Sequence, residues 1–98
     1  MSPAAKTPVR ILLLENEKSD VDLIHDELTS SGIPVEVAVA SNRQDFLREL
    51  KKRAPDLVLS DYVVPQYSGL TALCDVQKQW PNCPFIFVSW EIHEQSVL

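Results

Sequence analysis

Apolar residues gather in four short runs along the chain, separated by longer segments with helical spacing. The runs "VRILLL" (9–14), "DLVLS" (56–60) and "PFIFVS" (84–89) are nearly continuous, whereas "VEVAVA" (35–40) alternates. Continuous runs of this length are typical of strands buried on both faces of a parallel sheet, and alternation indicates a strand nearer the edge. The pattern therefore predicts four β-strands, with residues 35–40 nearest an edge.

Helical patterns fill the segments between these strands. Capping signals at Ser19, Ser41 and Ser68 predict the starts of three helices, and a fourth is expected to begin near Glu91. The predicted apolar stripe of the third helix combines four residues: Leu70, Leu73, Cys74 and Gln77. Cys74 is accordingly expected to be a buried free thiol, because no cysteine or histidine lies at metal-binding spacing from it.

The resulting β-α-β-α-β-α-β-α order predicts an α/β fold with an open, doubly wound parallel sheet, because parallel strands need crossover helices on both faces. In such sheets, functional residues gather where the strands end. The polar residues that follow the predicted strands are Glu15, Asn16 and Glu17, then Asp61, then Ser89. Because parallel strands end at the same edge of the sheet, we expect these side chains to share one crevice.

Composition narrows the class of protein. The chain has 98 residues, a net charge of -5 and a sequence pI near 4.8, which fit one domain and argue against nucleic-acid binding. Its first apolar run is too short for a signal peptide or a membrane span. We therefore expect a soluble cytoplasmic protein, with residues 1–8 as a disordered tail and one domain over residues 9–98.

Three segments together resemble the receiver domain of two-component response regulators. "ILLLENE" is similar to the first strand of that family with its acidic pair, and "PFIFVS" to its fourth strand. The longest match is "DLVLSDYVVPQYSGLTAL", which resembles the segment around the phosphorylated aspartate, with a proline four residues and a glycine eight residues after it. The resemblance implies a flavodoxin-like sheet with strand order 2-1-3-4.

The same resemblance implies roles for individual residues. Asp61 would accept a phosphoryl group from a histidine kinase or a phosphotransfer protein, and Ser89 would contact that group and favour the activated conformation. A Mg²⁺ ion would be held by Glu15, Asn16, Asp61 and the backbone carbonyl of Val63, because Mg²⁺ prefers a few oxygen ligands and keeps several waters. The protein would be a phosphoacceptor module rather than an enzyme, limited to its own phosphorylation and slow dephosphorylation.

Two departures from the family pattern keep alternatives open. Asn16 stands where a second carboxylate is usual, so Asn16 is either a weaker ligand or a loop residue, and Glu17 either compensates or is an exposed acid. The sequence also lacks the fifth strand and helix, and with them the lysine of that strand. We therefore expect the domain to be incomplete at its C-terminus, with an uncovered fourth strand that favours self-association.

A second function fits these departures. The chain would then be a pseudo-receiver, which keeps the fold as a protein-interaction module independent of phosphorylation. A third hypothesis, a metal-dependent phosphohydrolase with an aspartate nucleophile, is weaker because its usual pattern needs a second aspartate two residues after the first, where this chain has Val63.

Overall fold

The computed structural model describes residues 7–88. In chain order, the elements are β1 (Val9–Leu14), α1 (Lys18–Thr29), β2 (Val35–Ala40), α2 (Arg43–Lys52), β3 (Leu57–Asp61), β4 (Val63–Val64), β5 (Tyr67–Ser68), α3 (Gly69–Gln79) and β6 (Phe85–Val88). Most of the predicted tail, Ser89 and the helix predicted near Glu91 lie outside the described residues.

Four strands form one parallel sheet in the order β2-β1-β3-β6. Because β6 is the fourth strand of this sheet along the chain, the order confirms the predicted 2-1-3-4 arrangement. β2 lies at an edge, as its alternating sequence predicted. The two-residue strands β4 and β5 form a separate antiparallel hairpin, which the hydrophobic pattern did not predict.

Helices cover the sheet on both faces, which makes it doubly wound. On one face, Leu12, Leu14 and Val58 pack with Phe46 of α2 and Val76 of α3 in a cluster of buried residues. On the other face, a smaller cluster joins β1 and β3 to α1 and consists of Ile11, Leu13, Ile24 and Leu59. The alternation of odd and even residues of β1 between the two clusters follows from the period of two along a strand.

Helix starts differ from the predicted caps in two of three cases. The N-cap of α1 is Glu17, without a side-chain cap, so Ser19 lies inside the helix and its predicted capping role is wrong. Asn42 rather than Ser41 caps α2, since its side chain accepts a hydrogen bond from the Asp45 N–H. Ser68 caps α3 as predicted, by accepting from the Thr71 N–H.

The buried face of α3 corrects the predicted stripe. Gly69, Ala72 and Val76 are buried, whereas Leu70 is 53% exposed and Cys74 is exposed, so the predicted burial of Cys74 is wrong. The reason is the close approach of the helix to the sheet: a Cβ on Gly69 would lie 2.6 Å from Cε1 of the Phe87 ring. Only small side chains fit between such closely packed elements near the start of the helix, so the buried stripe is not the one with the largest side chains.

A network of ion pairs and hydrogen bonds surrounds Arg10 at the amino end of the sheet. Arg10 on β1 is only 6% exposed, and its guanidinium donates a 3.2 Å hydrogen bond to Glu49 of α2 and lies 3.8 Å from Glu36 of β2. The Asp56 carboxylate accepts from the Arg10 backbone N–H at 2.8 Å. Hydrogen bonds from Lys52 and, more weakly, Arg10 hold the pKa of Glu49 below its ordinary value of 4.5.

Within the described residues, no helix has both the length and the apolar character needed to cross a membrane.

Candidate phosphorylation site

The register of the sheet brings two of the predicted site residues to neighbouring strand ends. Leu14 of β1 pairs with Ser60 of β3, so Glu15 and Asp61 are the next residues along two adjacent strands. Asp61 also pairs with Val88 of β6, which directly precedes Ser89 in the sequence. Ser89 itself lies outside the described residues, so its predicted contact with a phosphoryl group stays a prediction.

Glu15 is a buried carboxylate whose ionised form is disfavoured by its surroundings. Its side chain is 1% exposed, and one oxygen accepts hydrogen bonds from the N–H groups of Asn16 and Glu17, each at 3.1 Å. Burial is the largest effect on its pKa and raises it above 4.5, and the charges of Asp61 and Asp20 raise it further. The two backbone hydrogen bonds lower the pKa without offsetting the desolvation. A cation at this position would relieve that cost.

Asp61 ends the central part of the sheet, half-buried between the core and solvent. The Ser60 hydroxyl donates to the backbone carbonyl of Asp61 at 2.8 Å and not to the Asp61 carboxylate. Among residues 7–88, no lysine or arginine forms an ion pair with Glu15 or Asp61. Two acids therefore adjoin at this edge without a described basic partner.

The start of α3 crowds the segment after Asp61. The Gly69 N–H donates to the Tyr62 carbonyl at 3.0 Å, and a Cβ on Gly69 would lie 3.0 Å from the Asp61 carbonyl oxygen and 3.1 Å from that of Tyr62. Glycine at position 69 thus permits a backbone approach that a larger residue would obstruct. The seven-residue connection from Asp61 to α3 is fixed by this contact between its first residue and the first residue of the helix.

The remaining candidate residues lie in the loop after β1 and in the hairpin, outside the main sheet. Asn16 and Glu17 are both exposed in the loop after β1, which agrees with the interpretation of Glu17 as an exposed acid. Val63 lies in β4, where it pairs with Ser68, and its backbone carbonyl remains the predicted ligand. Their metal-binding roles stay predictions.

The donor set fits a hard cation with few protein ligands. Residues 7–88 contain no group of three histidine, cysteine, aspartate or glutamate side chains placed to hold a metal ion. Mg²⁺ needs only one or two carboxylates when carbonyl oxygens and water complete its shell, and the buried Glu15 carboxylate lacks a described countercharge. Glu15 and Asp61 are therefore a carboxylate pair of the kind that Mg²⁺ uses, and the oxygens of Asn16 and Val63 stay predicted ligands.

Sequence reasoning missed Asp20, which belongs to the electrostatics of the site. Asp20 lies in the first turn of α1 and is half-buried, and its charge raises the pKa of Glu15. Acids are favoured in a first helical turn by the helix dipole. Asp20 falls in the first turn whether Glu17 or Ser19 is the cap, but no local signal showed that its charge reaches Glu15.

Sequence reasoning also missed Tyr67, a buried tyrosine in the hairpin that follows Asp61. Tyr67 is 4% exposed and its hydroxyl donates a 2.6 Å hydrogen bond to the Asp75 carboxylate on α3. Burial, followed by this contact with Asp75, raises the pKa of Tyr67. No sequence signal marked the pair, because Tyr67 lies in the hairpin and Asp75 lies eight positions later, on α3.

Comparison with known proteins gives the same family from sequence. Residues 11–98 match the response regulator receiver domain. The transcriptional regulatory protein DltR of Streptococcus agalactiae is 33% identical over 81 residues, covering 83% of this chain and 35% of DltR. The luminescence regulatory protein LuxO of Vibrio campbellii is 31% identical over 77 residues, covering 79% of this chain and 17% of LuxO. The chain thus spans about a sixth of LuxO and about a third of DltR.

Solved structures agree with the fold. The phosphorylated cyanobacterial phytochrome response regulator RcpA superposes with a TM-score of 0.77 at 25% identity, covering 93% of this chain and 71% of RcpA. The receiver domain of a Pseudomonas aeruginosa sensor histidine kinase, solved with magnesium in its active-site cleft, gives 0.77 at 20% identity, covering 93% and 75%. The second likeness supports the fold alone.

The family match covers nearly the whole chain, and the observed strand order is that of the receiver fold. The resemblance drawn from three sequence segments is therefore confirmed: the chain belongs to the response regulator receiver domain family of two-component signalling.

Proposed function

We propose that Asp61 accepts a phosphoryl group from a histidine kinase or a phosphotransfer protein, and that the chain works as a phosphorylation-switched receiver. The observation that carries this proposal is the position of Asp61 and the buried Glu15 at the ends of adjacent strands, with no basic partner for either within residues 7–88. Two neighbouring acids without a basic partner, at the carboxyl edge of a parallel sheet, favour the binding of a cation, and that cation can in turn bind an anionic phosphoryl group.

In the proposed transfer, a carboxylate oxygen of Asp61 attacks the phosphorus atom of a phosphohistidine. A phosphorus–oxygen bond to Asp61 forms while the phosphorus–nitrogen bond breaks, and its electron pair returns to the imidazole of the donor. The sheet fixes the Asp61 backbone, since β3 is hydrogen-bonded on both sides, and so limits the orientations available to the carboxylate. The product is an acyl phosphate on Asp61.

A bound Mg²⁺ would neutralise charge between the Asp61 carboxylate and the incoming phosphoryl oxygens. Glu15, Asp61 and the Val63 carbonyl would hold it, with Asn16 as a neutral oxygen donor. A neutral amide at position 16 removes one negative charge from the site, which weakens cation binding relative to a site with a second carboxylate. Phosphorylation would therefore require more Mg²⁺ than in a receiver with two acids at this loop.

This function makes the protein a phosphoacceptor rather than an enzyme with turnover. The groups that would act on the phosphoryl group are those of the acceptor itself, and Ser89 would stabilise the phosphorylated form through its hydroxyl. A location in the cytoplasm, where the proposed donors act, remains a prediction.

Mass spectrometry tests the proposal directly. The chain is incubated with Mg²⁺ and acetyl phosphate, a small phosphodonor, and the intact mass is measured. We expect the mass gain of one phosphoryl group, which is lost without Mg²⁺ and in Asp61→Asn. The matched control is Asp56→Asn, because Asp56 lies just before the same strand at its opposite end and accepts a hydrogen bond from Arg10. Equal labelling of Asp61→Asn and the unchanged chain would contradict the assignment.

Asn16 favours a second function, the pseudo-receiver that acts only as an interaction module. In that case the unchanged chain would show neither a mass gain with acetyl phosphate nor a response to Mg²⁺. Asn16→Asp would then restore Mg²⁺ binding, because the substitution returns a carboxylate to the exposed loop after β1. Labelling of the unchanged chain would exclude the pseudo-receiver.

Self-association through the fourth strand of the sheet stays a prediction. Within the described residues β6 pairs only with β3, and its residue Ile86 is 50% exposed. Sedimentation at decreasing protein concentration measures the association state. We expect a dimer that dissociates on dilution, and Ile86→Lys would weaken it, because charge on an edge strand opposes pairing. A monomer at every concentration would contradict this prediction.

A further inference from the structure

The hairpin β4–β5 forms most of the connection between Asp61 and α3. Val63 pairs with Ser68 and Val64 with Tyr67, so only Pro65 and Gln66 remain in the turn. Two-residue strands are not stable by themselves in water. Gln66 adds strain, because its φ of 62° lies in the left-handed region that residues other than glycine avoid. The hairpin therefore depends on contacts outside itself for a single conformation.

Tyr67 provides the contacts that hold this hairpin against the two helices beside it. Its hydroxyl donates to Asp75 Oδ2 of α3 at 2.6 Å, and its ring meets Phe46 of α2 edge to face with centroids 5.8 Å apart. The Arg43 guanidinium lies 5.9 Å from the centre of the Tyr67 ring and 3.8 Å from Asp75 Oδ2. One side chain thus connects the hairpin to both α2 and α3.

The hydroxyl is the informative part of this side chain. A phenylalanine would fill the same buried volume and keep the ring contact with Phe46, but it would leave the half-buried Asp75 without the phenol donor. Tyrosine adds a hydrogen bond to an ionised acceptor, which is stronger and more directional than ring packing. Its direction fixes Tyr67, and the β4–β5 pairing passes that constraint to Val64 and Val63.

We propose that the Tyr67 hydroxyl is a positioning group for the phosphorylation site: through its hydrogen bond to Asp75 it fixes the β4–β5 hairpin, and so the Val63 carbonyl beside Asp61. This inference rests on the proposed function, in which that carbonyl is a Mg²⁺ ligand. Tyr67 does not touch the phosphoryl group in this scheme. It acts through the backbone, as groups behind metal ligands do elsewhere.

The test compares Tyr67→Phe with a variant that perturbs the opposite face of the sheet. Ile24→Val removes one methylene from a buried residue of α1, which lies in the other core cluster, and lowers stability without touching the hairpin. For each protein, Mg²⁺ affinity is measured by calorimetry and hairpin opening by amide hydrogen exchange at Val64 and at Gly69, whose N–H donates to the Tyr62 carbonyl. The exchange measurement needs neither Mg²⁺ nor phosphorylation.

We expect Tyr67→Phe to bind Mg²⁺ about ten-fold more weakly and to exchange its hairpin amides faster, while Ile24→Val matches the unchanged chain in both. Asp75→Asn keeps an oxygen that accepts from the Tyr67 hydroxyl, so it should retain most of the affinity, whereas Asp75→Ala should behave like Tyr67→Phe. This pattern separates the hydrogen bond from the charge of Asp75.

Two failures remain distinguishable. If the unchanged chain binds Mg²⁺ and is phosphorylated, but Tyr67→Phe equals Ile24→Val in affinity and exchange, the positioning role is wrong and the proposed function stands. If the unchanged chain neither binds Mg²⁺ nor gains a phosphoryl group, the proposed function is wrong and the positioning role falls with it.

Discussion

The two ends of the same sheet differ in whether their buried charges have partners of opposite charge. At the amino end, the buried Arg10 contacts Glu36 and Glu49, so that each charge has an opposite charge nearby. At the carboxyl end, Glu15 and Asp61 adjoin, and residues 7–88 supply no basic partner for either. At the amino end the charges are paired within the fold, although the buried Nε of Arg10 has no hydrogen-bond partner among the described residues, whereas at the carboxyl end the proposed function supplies the opposite charge from a bound cation.

The pKa values of two glutamates shift in opposite directions at the two ends. The pKa of Glu49 lies below the ordinary 4.5, mainly because Lys52 donates a hydrogen bond to it, while burial raises the pKa of Glu15 above the same value. A lowered pKa means that the fold stabilises the ionised carboxylate, and a raised one means that the fold opposes it. A carboxylate that is buried despite this opposition is a mark of function rather than of stability.

Removing the central cation of the amino end should have the largest effect. Arg10→Met keeps the length of the side chain but leaves Glu49 without one of its partners in a half-buried position. We expect a loss of about 3 kcal/mol in the free energy of unfolding, measured with urea, because Glu36 and Glu49 both lose the buried cation and keep only the exposed Arg53 and Lys52. The control is Arg48→Met, whose exposed pair with Asp45 should contribute less than about 1 kcal/mol. Equal losses would show that the amino-end network is no more than a surface feature.

A smaller effect is expected from crowding the carboxyl end. In Gly69→Ala, the new Cβ would lie 2.6 Å from the Phe87 ring and close to two backbone carbonyl oxygens, so α3 must move away from the end of β3. We expect a loss of about 2 kcal/mol in thermal or urea unfolding, together with weaker phosphorylation of Asp61.

Gly32→Ala provides the contrast, because no atom lies within 4 Å of its added Cβ and the only cost is the backbone φ of +85°. That variant should lose about 1 kcal/mol and keep full phosphorylation. If Gly69→Ala is as stable as the unchanged chain and is phosphorylated normally, the close approach of α3 to the site is wrong.

The pH dependence of stability separates the two glutamates by sign. Glu49 has a lowered folded pKa, so its contribution is present above pH 4.5 and is lost as the pH falls through that folded pKa. Glu15 has a raised folded pKa, so its contribution is complete below pH 4.5 and is lost as the pH rises through its folded pKa. Glu49 therefore lowers the free energy of unfolding as the pH falls below 4.5, and Glu15 lowers it as the pH rises above 4.5.

Urea unfolding between about pH 3 and pH 7, without divalent cations, checks this prediction. Glu15→Gln should remove part of the fall in stability above pH 4.5, and Glu49→Gln should remove part of the loss at acid pH. If Glu15→Gln and Glu49→Gln changed the free energy of unfolding in the same direction at the same pH, the contrast between the two ends of the sheet would be contradicted.

The sequence predicted the frame of the molecule better than its details. Three continuous apolar runs and one alternating run identified the four strands of the main sheet, because strands buried on both faces are apolar throughout and an edge strand alternates, and the strand ends then located Glu15 and Asp61. The stripe on α3 was wrong because Gly69 and Ala72 are buried for their small size, which a pattern of large apolar residues does not detect. The hairpin was missed because two-residue strands are too short to show a period.

Contacts between distant residues were beyond the reach of the pattern. Arg10 contacts Glu49, which lies 39 positions later in the chain, and Tyr67 of the hairpin contacts Asp75 of α3. Only the folded register brings such pairs together, so their partners had no signal in local sequence. The raised pKa of Glu15 likewise depends on burial and on Asp61, neither of which is a property of residues 15–17 alone.

The most direct test of the central claim, that the carboxyl end of the sheet is completed by a cation, is the stability of the chain as a function of Mg²⁺ concentration at pH 7. We expect the free energy of unfolding to rise with Mg²⁺ by about 2.7 kcal/mol at a hundred times the dissociation constant. The rise should be lost in Asp61→Asn and Glu15→Gln and kept in Glu49→Gln. No rise in the unchanged chain, or the same rise in Asp61→Asn, would contradict the claim.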